Sequence, residues 1–145
     1  MIALLDVNVL IALFDPMHGH HEAAHQWLGE NREAGWATCP LTENGFVRVL
    51  SNPAYPGRRT TPLDALGRLA DFRNSGDHFF WSDDVSLCDT SIFEPRHIGG
   101  YRQLTDVYLL GLAARHEGRL VTFDRGIHRL AVQGAKGEHL EVIGT

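Results

Sequence analysis

The sequence predicts an α/β fold, a three-layer α/β/α sandwich around a central, mostly parallel sheet of about four to five strands. Two patterns support this prediction. Short apolar runs such as Ile2–Leu5 show no polar alternation, which is typical of strands buried on both faces of a parallel sheet. These runs alternate with segments of helical apolar spacing, such as Val9–Phe14, and strand–helix alternation predicts parallel strands covered by helices.

Strands and helices follow one another in a regular order. Asp6 ends the first strand, Gly35 ends the second helix as a C-terminal glycine does, and Pro40 stands at a tolerated early position of the third helix. The predicted strands are Ile2–Leu5, Trp36–Cys39, Phe79–Trp81, Leu120–Phe123 and Leu140–Ile143. The predicted helices are Val9–Phe14, His20–Ala34, Pro40–Leu50, Leu63–Phe72 and Val107–Ala114.

Two segments between these elements are irregular. The segment Asn52–Pro62 contains three prolines and the Arg58–Arg59 pair, which predicts a loop. The segment Asp83–Gly100 holds one short helix at most, because a proline and a pair of glycines interrupt any longer pattern. The length of 145 residues, with no internal repeat, predicts a single domain over residues 1–145.

Composition restricts the classes of function. The net charge of -5 argues against a protein that binds nucleic acid through overall positive potential, although it permits a local basic patch. Every basic residue except Lys136 is an arginine, which suits bidentate phosphate contacts. Two cysteines are too few for a disulfide scaffold, and no apolar run approaches the ~20 residues that cross a bilayer. We therefore expect a reduced, cytoplasmic protein without a membrane partner.

Four acids occupy comparable positions in the predicted fold. Asp6 directly follows the first strand, and Asp124 directly follows the fourth. Glu43 lies in the first turns of the helix after the second strand, and Asp106 begins the long apolar helix, with Thr105 as its predicted N-cap. Strand ends and the helix starts after them share one edge of a parallel sheet, so we expect these carboxylates to converge.

Convergence of carboxylates requires a compensating charge. Two carboxylates about 4 Å apart repel by ~4 kcal/mol at an effective dielectric constant near 20, and a divalent cation removes this repulsion. Because the ligands would all be oxygens, Mg²⁺ or Mn²⁺ is expected rather than zinc. Simpler interpretations exist for each acid: Asp6 as a helix cap, Glu43 and Asp106 as acids favoured by a helix dipole, and Asp124 as a turn residue. Because all four acids are predicted to lie at the same edge of the sheet, we favour the interpretation that they form a cation site.

The motifs around these acids resemble a known family. In order, LLDVNVL from Leu4, LTENGFVRVL from Leu41, QLTDVYLLGLA from Gln103 and LVTFDRG from Leu120 are similar to the PIN-domain ribonucleases, in particular the VapC toxins of bacterial toxin–antitoxin modules. The resemblance spans nearly the whole chain. It implies a PIN-like sandwich, Mg²⁺- or Mn²⁺-dependent hydrolysis of RNA phosphodiester bonds, a homodimer, and a VapB-type antitoxin that blocks the site.

Carried over position by position, the resemblance assigns roles to individual residues. The acids that would bind metal and carry out catalysis are Asp6, Glu43, Asp106 and Asp124. Asn8 and Thr122 match the supporting polar positions of the family, and Thr105 would support the site beside Asp106. Metal-bound water would be the nucleophile, with the cation also neutralising charge on the scissile phosphate.

Basic and aromatic residues supply further candidates. Because an acidic site does not attract RNA, phosphate contacts are expected from arginines near it: Arg48, Arg102, Arg125 and the pair Arg58–Arg59. Solvated surface arginines are the alternative interpretation of each. The histidines His18, His20, His21 and His25 have no acid or cysteine at ligand spacing and are predicted to be structural or exposed. We interpret Trp27, Trp36 and Trp81 as core residues.

Two other functions are compatible with an acid after the first strand. Phosphatases of the haloacid dehalogenase type and response-regulator receivers also need a lysine nearby, but Lys136 lies in a glycine-rich tail, and Asn8 stands where the phosphatases have a second acid. A non-catalytic regulatory binding module could use the same acids to dock a partner's arginine. A rise in melting temperature with Mn²⁺ or Mg²⁺ would separate the nuclease from the binding module.

Overall fold

The protein, described here by a computed structural model over residues 1–144, contains one sheet of five parallel strands in the order β3-β2-β1-β4-β5. The strands are β1 (Ala3–Leu5), β2 (Trp36–Thr38), β3 (His78–Phe80), β4 (Arg119–Thr122) and β5 (Leu140–Val142). The α-helices are α1 (Val7–Phe14), α2 (His21–Asn31), α3 (Pro40–Leu50), α4 (Pro62–Arg73) and α5 (Leu104–Arg115).

Both faces of the sheet are covered by apolar layers. Alternate residues of β1 point to opposite faces, so Leu5 joins the cluster formed with α1 to α4, whereas Leu4 joins the cluster formed with α5. Leu4 pairs in register with Ala37 of β2 and Leu120 of β4, and all three are fully buried. The predicted three-layer α/β/α sandwich with a parallel sheet is therefore confirmed, and β1 lies at its centre.

The third strand differs from its prediction. It spans His78–Phe80 and forms an edge of the sheet, with Phe79 and Phe80 each 47% exposed, whereas Trp81 after it is buried. The expectation of a buried strand was wrong because an apolar run cannot distinguish a central strand from an edge strand. The guanidinium of Arg73 lies 5.1 Å from the ring centroid of Phe80 and covers part of this edge.

The long segment before α5 packs on the sheet through apolar side chains, of which Phe93 is the most deeply buried. It contains turns and a short 3₁₀ helix at Pro95–His97, in line with the prediction of one short helix at most. Phe93 is fully buried and forms an antiparallel bridge with Val132. A Cβ at Gly111 would lie 2.4 Å from the Phe93 ring, so this glycine of α5 makes room for the ring.

The start of α5 also differs from its prediction. A 3₁₀ turn at Tyr101–Gln103 leads directly into the helix, which begins at Leu104 and has Gln103 at its N-cap position. Thr105 therefore lies inside the first turn, and its prediction as the N-cap was wrong. The sequence pattern placed the cap too late because the preceding 3₁₀ turn is itself helical and runs into α5 without a break.

Two of the histidines close the end of α1. His21 Nδ1 lies 2.7 Å from the carbonyl oxygen of Ala12, and His25 Nε2 lies 2.8 Å from that of Leu13. Carbonyls in the last turn of a helix lack backbone partners, so these rings supply the missing donors.

A separate observation concerns membranes: no helix within residues 1–144 is both long enough and apolar enough to span one.

Candidate active site

Asp6 is the most deeply buried carboxylate of the predicted set. It is 4% exposed and follows β1 directly, at the carboxyl edge of the central strand. One oxygen, Oδ1, accepts a hydrogen bond of 2.7 Å from the backbone N–H of Val7 and so caps α1. The other oxygen, Oδ2, accepts a hydrogen bond of 2.7 Å from the hydroxyl of Thr122. The capping interpretation and the placement at the sheet edge are thus both realised in one residue.

Thr122 connects three parts of the site. While its hydroxyl donates to Asp6, its oxygen accepts hydrogen bonds from the Asn8 amide at 3.2 Å and from the backbone N–H of Asp124 at 3.1 Å. The Asn8 carbonyl oxygen in turn accepts from the N–H of Phe123 at 3.3 Å. This network joins the end of β1 to the end of β4, and it uses every donor and acceptor of a fully buried hydroxyl.

Asp106 and Asp124 share the electrostatic environment of Asp6. Burial raises the pKa of Asp6, and repulsion from Asp124 raises it further, against the hydrogen bonds that favour ionisation. Burial and the proximity of Asp6 and Asp124 raise the pKa of Asp106 to about 7. Asp124 is exposed, and its Oδ1 accepts from the N–H of Gly126 at 2.7 Å, the turn contact that its simpler interpretation predicts. Asp6 and Asp124 are therefore close enough to Asp106 to oppose its ionisation, and Asp124 is close enough to oppose that of Asp6.

Glu43 is held elsewhere. Its Oε2 accepts a hydrogen bond of 2.6 Å from the Thr38 hydroxyl and lies 3.1 Å from Nη1 of Arg73. Glu43 is not among the groups that most strongly shift the pKa of Asp6 or Asp106. The structure thus brings together three of the four predicted acids, and Glu43 is instead paired with a cation from α4.

A histidine extends the contacts of Glu43. His78 Nε2 lies 2.8 Å from the Thr38 hydroxyl. Because the one hydrogen of that hydroxyl is donated to Glu43, His78 acts as the donor to Thr38. Burial and repulsion from Arg73 lower the pKa of His78 to about 4, so the ring is neutral near pH 7. The spacing of these residues in the sequence did not predict this series of contacts, because Arg73, Thr38 and His78 come from α4, β2 and β3.

A cavity of about 430 Å³ opens beside the acids, and we call it the acid cavity. Asp6, Asn8, Asp106 and Thr105 contribute to one part of its wall, and Arg48 contributes to another. Two further lining residues, His18 and Tyr55, were not predicted as part of the site. Both lie in connecting segments with no motif, so only the folded chain places them there.

The other predicted cations occupy different positions. Arg102 is exposed, and its Nε donates to the hydroxyl of the neighbouring Tyr101 at 3.0 Å. Arg125 donates to the carbonyl oxygen of Gly144 at 3.4 Å.

Lys136 is exposed and absent from the wall of the acid cavity, so the lysine that a phosphatase of the haloacid dehalogenase type requires is missing from this wall.

The donor chemistry fits a hard divalent cation, although the cage is incomplete. Within residues 1–144, no three His, Cys, Asp or Glu side chains are arranged to hold a metal ion without rearrangement. Mg²⁺ does not need such a cage, because it is commonly held by one or two carboxylates and keeps several waters. Burial chiefly, and neighbouring carboxylates in addition, raise the pKa values of Asp6 and Asp106, and a bound cation would favour the ionised form of both. Asp6, Asp106 and Asp124 carry oxygen ligands of the kind that such a cation takes, with water completing its coordination.

Comparison with known proteins places the chain in a family. Residues 3–133 match the model of the PIN domain. The chain is 46% identical to Ribonuclease VapC44 of Mycobacterium tuberculosis over 143 residues, which cover 99% of this chain and all of that protein. It is 49% identical to Ribonuclease VapC38 of the same organism over 134 residues, covering 92% of this chain and 93% of the other.

Solved structures share the fold at low sequence identity. One is VapC20 of Mycobacterium tuberculosis, titled a sarcin–ricin loop cleaving toxin, with a TM-score of 0.58, 11% identity, and coverage of 81% of this chain and 85% of that one. Another is VapBC2 of Rickettsia felis bound to a promoter DNA fragment, with a TM-score of 0.61, 12% identity, and 99% coverage of both chains. From the matched family model and the full-length relatives, the chain belongs to the PIN-domain family and, within it, to the VapC ribonucleases.

Proposed function

We propose that this protein is a metal-dependent endoribonuclease, the toxin of a VapBC-type toxin–antitoxin module that inhibits translation. The observation that carries the proposal is the grouping of Asp6, Asp106 and Asp124 at the carboxyl edge of the sheet, where Asp6 and Asp124 raise the pKa of Asp106 and Asp124 raises the pKa of Asp6. Relatives that are 46% identical over nearly the whole chain bear the name ribonuclease. Their substrate class is therefore proposed for this chain too.

In the proposed reaction, Asp6, Asp106 and Asp124 would hold Mg²⁺ or Mn²⁺. Bound there, the cation would supply an activated water and would neutralise charge on the scissile phosphate. Thr122 fixes the orientation of the Asp6 carboxylate, and Asn8 fixes Thr122, so both act by positioning. Thr105 lies beside Asp106 in the wall of the acid cavity, and it would help to position Asp106 in the first turn of α5. Arg48 would contact phosphate.

The role of Glu43 depends on its ion pair. While Arg73 and Thr38 hold its carboxylate, Glu43 does not contribute to the group of three acids. We propose that it acts as a ligand or base only after this ion pair opens. The remaining predicted features of the module are proposals of the same kind: one domain over residues 1–145, a homodimer, and a VapB-type antitoxin that blocks the acid cavity.

The direct test is cleavage of RNA by the purified chain. We expect Mn²⁺ or Mg²⁺ to support cleavage of total cellular RNA, and EDTA to stop it. Mapping the new RNA ends after brief expression, with Asp6→Asn as the control, would identify the cleaved position. Equal cleavage by the Asp6→Asn variant would contradict the proposal, because a contaminating nuclease or another site would then carry the activity.

A further inference from the structure

The acid cavity adjoins a second and larger cavity. Tyr55 lines both and so marks their boundary. The second cavity has a volume of about 730 Å³ and lies between the connection after α1, the loop that contains Arg58 and Arg59, and α4. We call it the arginine groove. Its contact with the acid cavity means that a chain-like ligand bound at the acids can continue into it.

Arginines without an internal partner are concentrated along these two cavities. Most arginines of residues 1–144 bind a carboxylate, a carbonyl or a side-chain oxygen of the protein itself. Those that make no hydrogen bond or ion pair in the described chain are Arg48, Arg58, Arg59, Arg115 and Arg129. Arg48 lines the acid cavity, and Arg58 and Arg59 line the arginine groove. Their guanidinium groups are thus available for an anionic ligand.

The groove also exposes apolar side chains. Met17 is 89% exposed and Leu63 is 80% exposed, and both line the arginine groove. Apolar surface beside free guanidinium groups is complementary to single-stranded nucleic acid, whose bases offer flat faces while its phosphates bind cations. A double helix would not use these side chains in the same way, because its bases are already stacked on one another.

Acids that also line the groove restrict the path of the ligand. Asp15 is already occupied, because it accepts hydrogen bonds from the Tyr55 hydroxyl and from the N–H of Met17. Asp64 and Asp71 belong to α4 and line the groove as well. They would repel phosphate, so a strand would run with its phosphates along the loop that carries Arg58 and Arg59. The same repulsion disfavours a second strand.

We infer that the arginine groove binds single-stranded RNA flanking the scissile phosphate, with Arg58 and Arg59 on phosphates and Met17 and Leu63 against bases. This inference rests on the proposed nuclease function, for which it adds the substrate class and a binding subsite. It concerns a cavity that is lined by none of the three acids proposed to hold the metal, Asp6, Asp106 and Asp124. It therefore predicts an effect on RNA affinity that is separate from metal binding.

The test is fluorescence anisotropy with a labelled single-stranded RNA about 20 nucleotides long, longer than the ~4–16 nucleotides that one single-strand-binding fold covers. The full chain carries Asp6→Asn to prevent cleavage. In this background, Arg58→Gln/Arg59→Gln is expected to weaken binding on the order of 10-fold at about 0.1 M salt. It should also reduce the slope of log affinity against log salt by about 1.4, since each phosphate contact in a single strand contributes ~0.7.

Arg115→Gln is the matched control. Arg115 also makes no hydrogen bond, and its charge acts on Asp89 instead. It ends α5 at the opposite end of that helix from Asp106, so its loss should leave affinity and slope unchanged. Equal affinity for the double variant and the control would overturn the groove while leaving the nuclease proposal intact, provided that the chain with Asp6 cleaves RNA. If the Asp6→Asn chain does not bind RNA and the chain with Asp6 does not cleave it, both the groove and the nuclease proposal would be overturned. Unchanged melting temperatures would establish that the variants are folded.

Discussion

The hydroxyl of Thr122 donates a hydrogen bond of 2.7 Å to the carboxylate of Asp6, and both residues are buried. The contact joins the carboxyl ends of β4 and β1, neighbouring strands whose residues are far apart in the sequence. It therefore fixes the orientation of the central acid before any ligand arrives. Such preorganisation is the property that a metal-assisted hydrolase needs.

Replacing Thr122 with Val tests this contact. The substitution removes the hydroxyl that binds Asp6, Asn8 and the Asp124 N–H, and leaves buried groups without partners. We expect a loss of about 1–3 kcal/mol in the free energy of unfolding, measured by urea denaturation, together with slower RNA cleavage. Thr122→Ser keeps the hydroxyl and should recover most of the cleavage rate. Equal activity of the Val and Ser variants would show that the contact does not matter for catalysis.

The charge of Asp6 is expected to matter for chemistry rather than for folding. Its pKa is raised, chiefly by burial, so ionisation is a cost to the folded state without a cation. Asp6→Asn removes the charge and retains an oxygen that can cap α1. We therefore expect loss of RNA cleavage and, in EDTA, a melting temperature no lower than that of the parent. A collapse of the circular dichroism spectrum would instead assign Asp6 a structural role.

The raised pKa of Asp106 predicts how stability depends on pH in EDTA. Its pKa rises from 3.8 to about 7 on folding, so the folded state retains a proton that the unfolded state releases. Stability is then highest below about pH 4 with respect to this group, and it falls as pH rises toward 7, by at most about 1.4 kcal/mol per pH unit.

The control for this pH dependence is Asp106→Asn, which cannot titrate. Denaturation across pH 5 to about 7.5 should give a shallower decline for this variant than for the parent, since a group that titrates near 7 has been removed. Parallel curves for the two proteins would mean that Asp106 ionises normally. Cation binding requires the carboxylate form, so stabilisation by Mn²⁺ should increase with pH over the same interval.

The ion pair between Arg73 and Glu43 predicts an asymmetry among the acids. Because Arg73 neutralises Glu43 at 3.1 Å, Glu43→Gln should reduce Mn²⁺ affinity much less than Asp106→Asn does. The ion pair is partly exposed, so Arg73→Gln should change stability by only about 0–1 kcal/mol. Isothermal titration with Mn²⁺ measures these affinities. An Mn²⁺ affinity lost equally in the Glu43 and Asp106 variants would mean that Glu43 leaves Arg73 when metal binds.

The order of strands and helices could be read from the sequence because the strands are short, mostly apolar runs and the helices between them show apolar residues at helical spacing. Asp6, Asp106 and Asp124 could be grouped because parallel strands end at one edge. Glu43 could not be placed, since its position depends on Arg73 and Thr38, which come from other elements. The exposure of β3 was missed for a similar reason: strand order is a tertiary property that local pattern does not encode.

His18 and Tyr55 mark the other limit of prediction. Both reach the acid cavity from connecting segments, and Tyr55 is fixed there by its hydrogen bond to Asp15. Neither residue belongs to a motif or to an apolar period. Residues that shape a cavity from loops carry no spacing signal, so their contribution becomes visible only once the chain is folded.

The central claim is that the acids beside Asp6 require a bound cation, and the melting temperature with added Mn²⁺ tests it most directly. For the parent protein we predict a rise that grows with Mn²⁺ concentration and reverses with EDTA, corresponding to about 2.7 kcal/mol at 100 times the dissociation constant. Asp6→Asn should show little or no rise. A parent whose melting temperature ignores Mn²⁺, or a variant that responds as strongly as the parent, would contradict the claim.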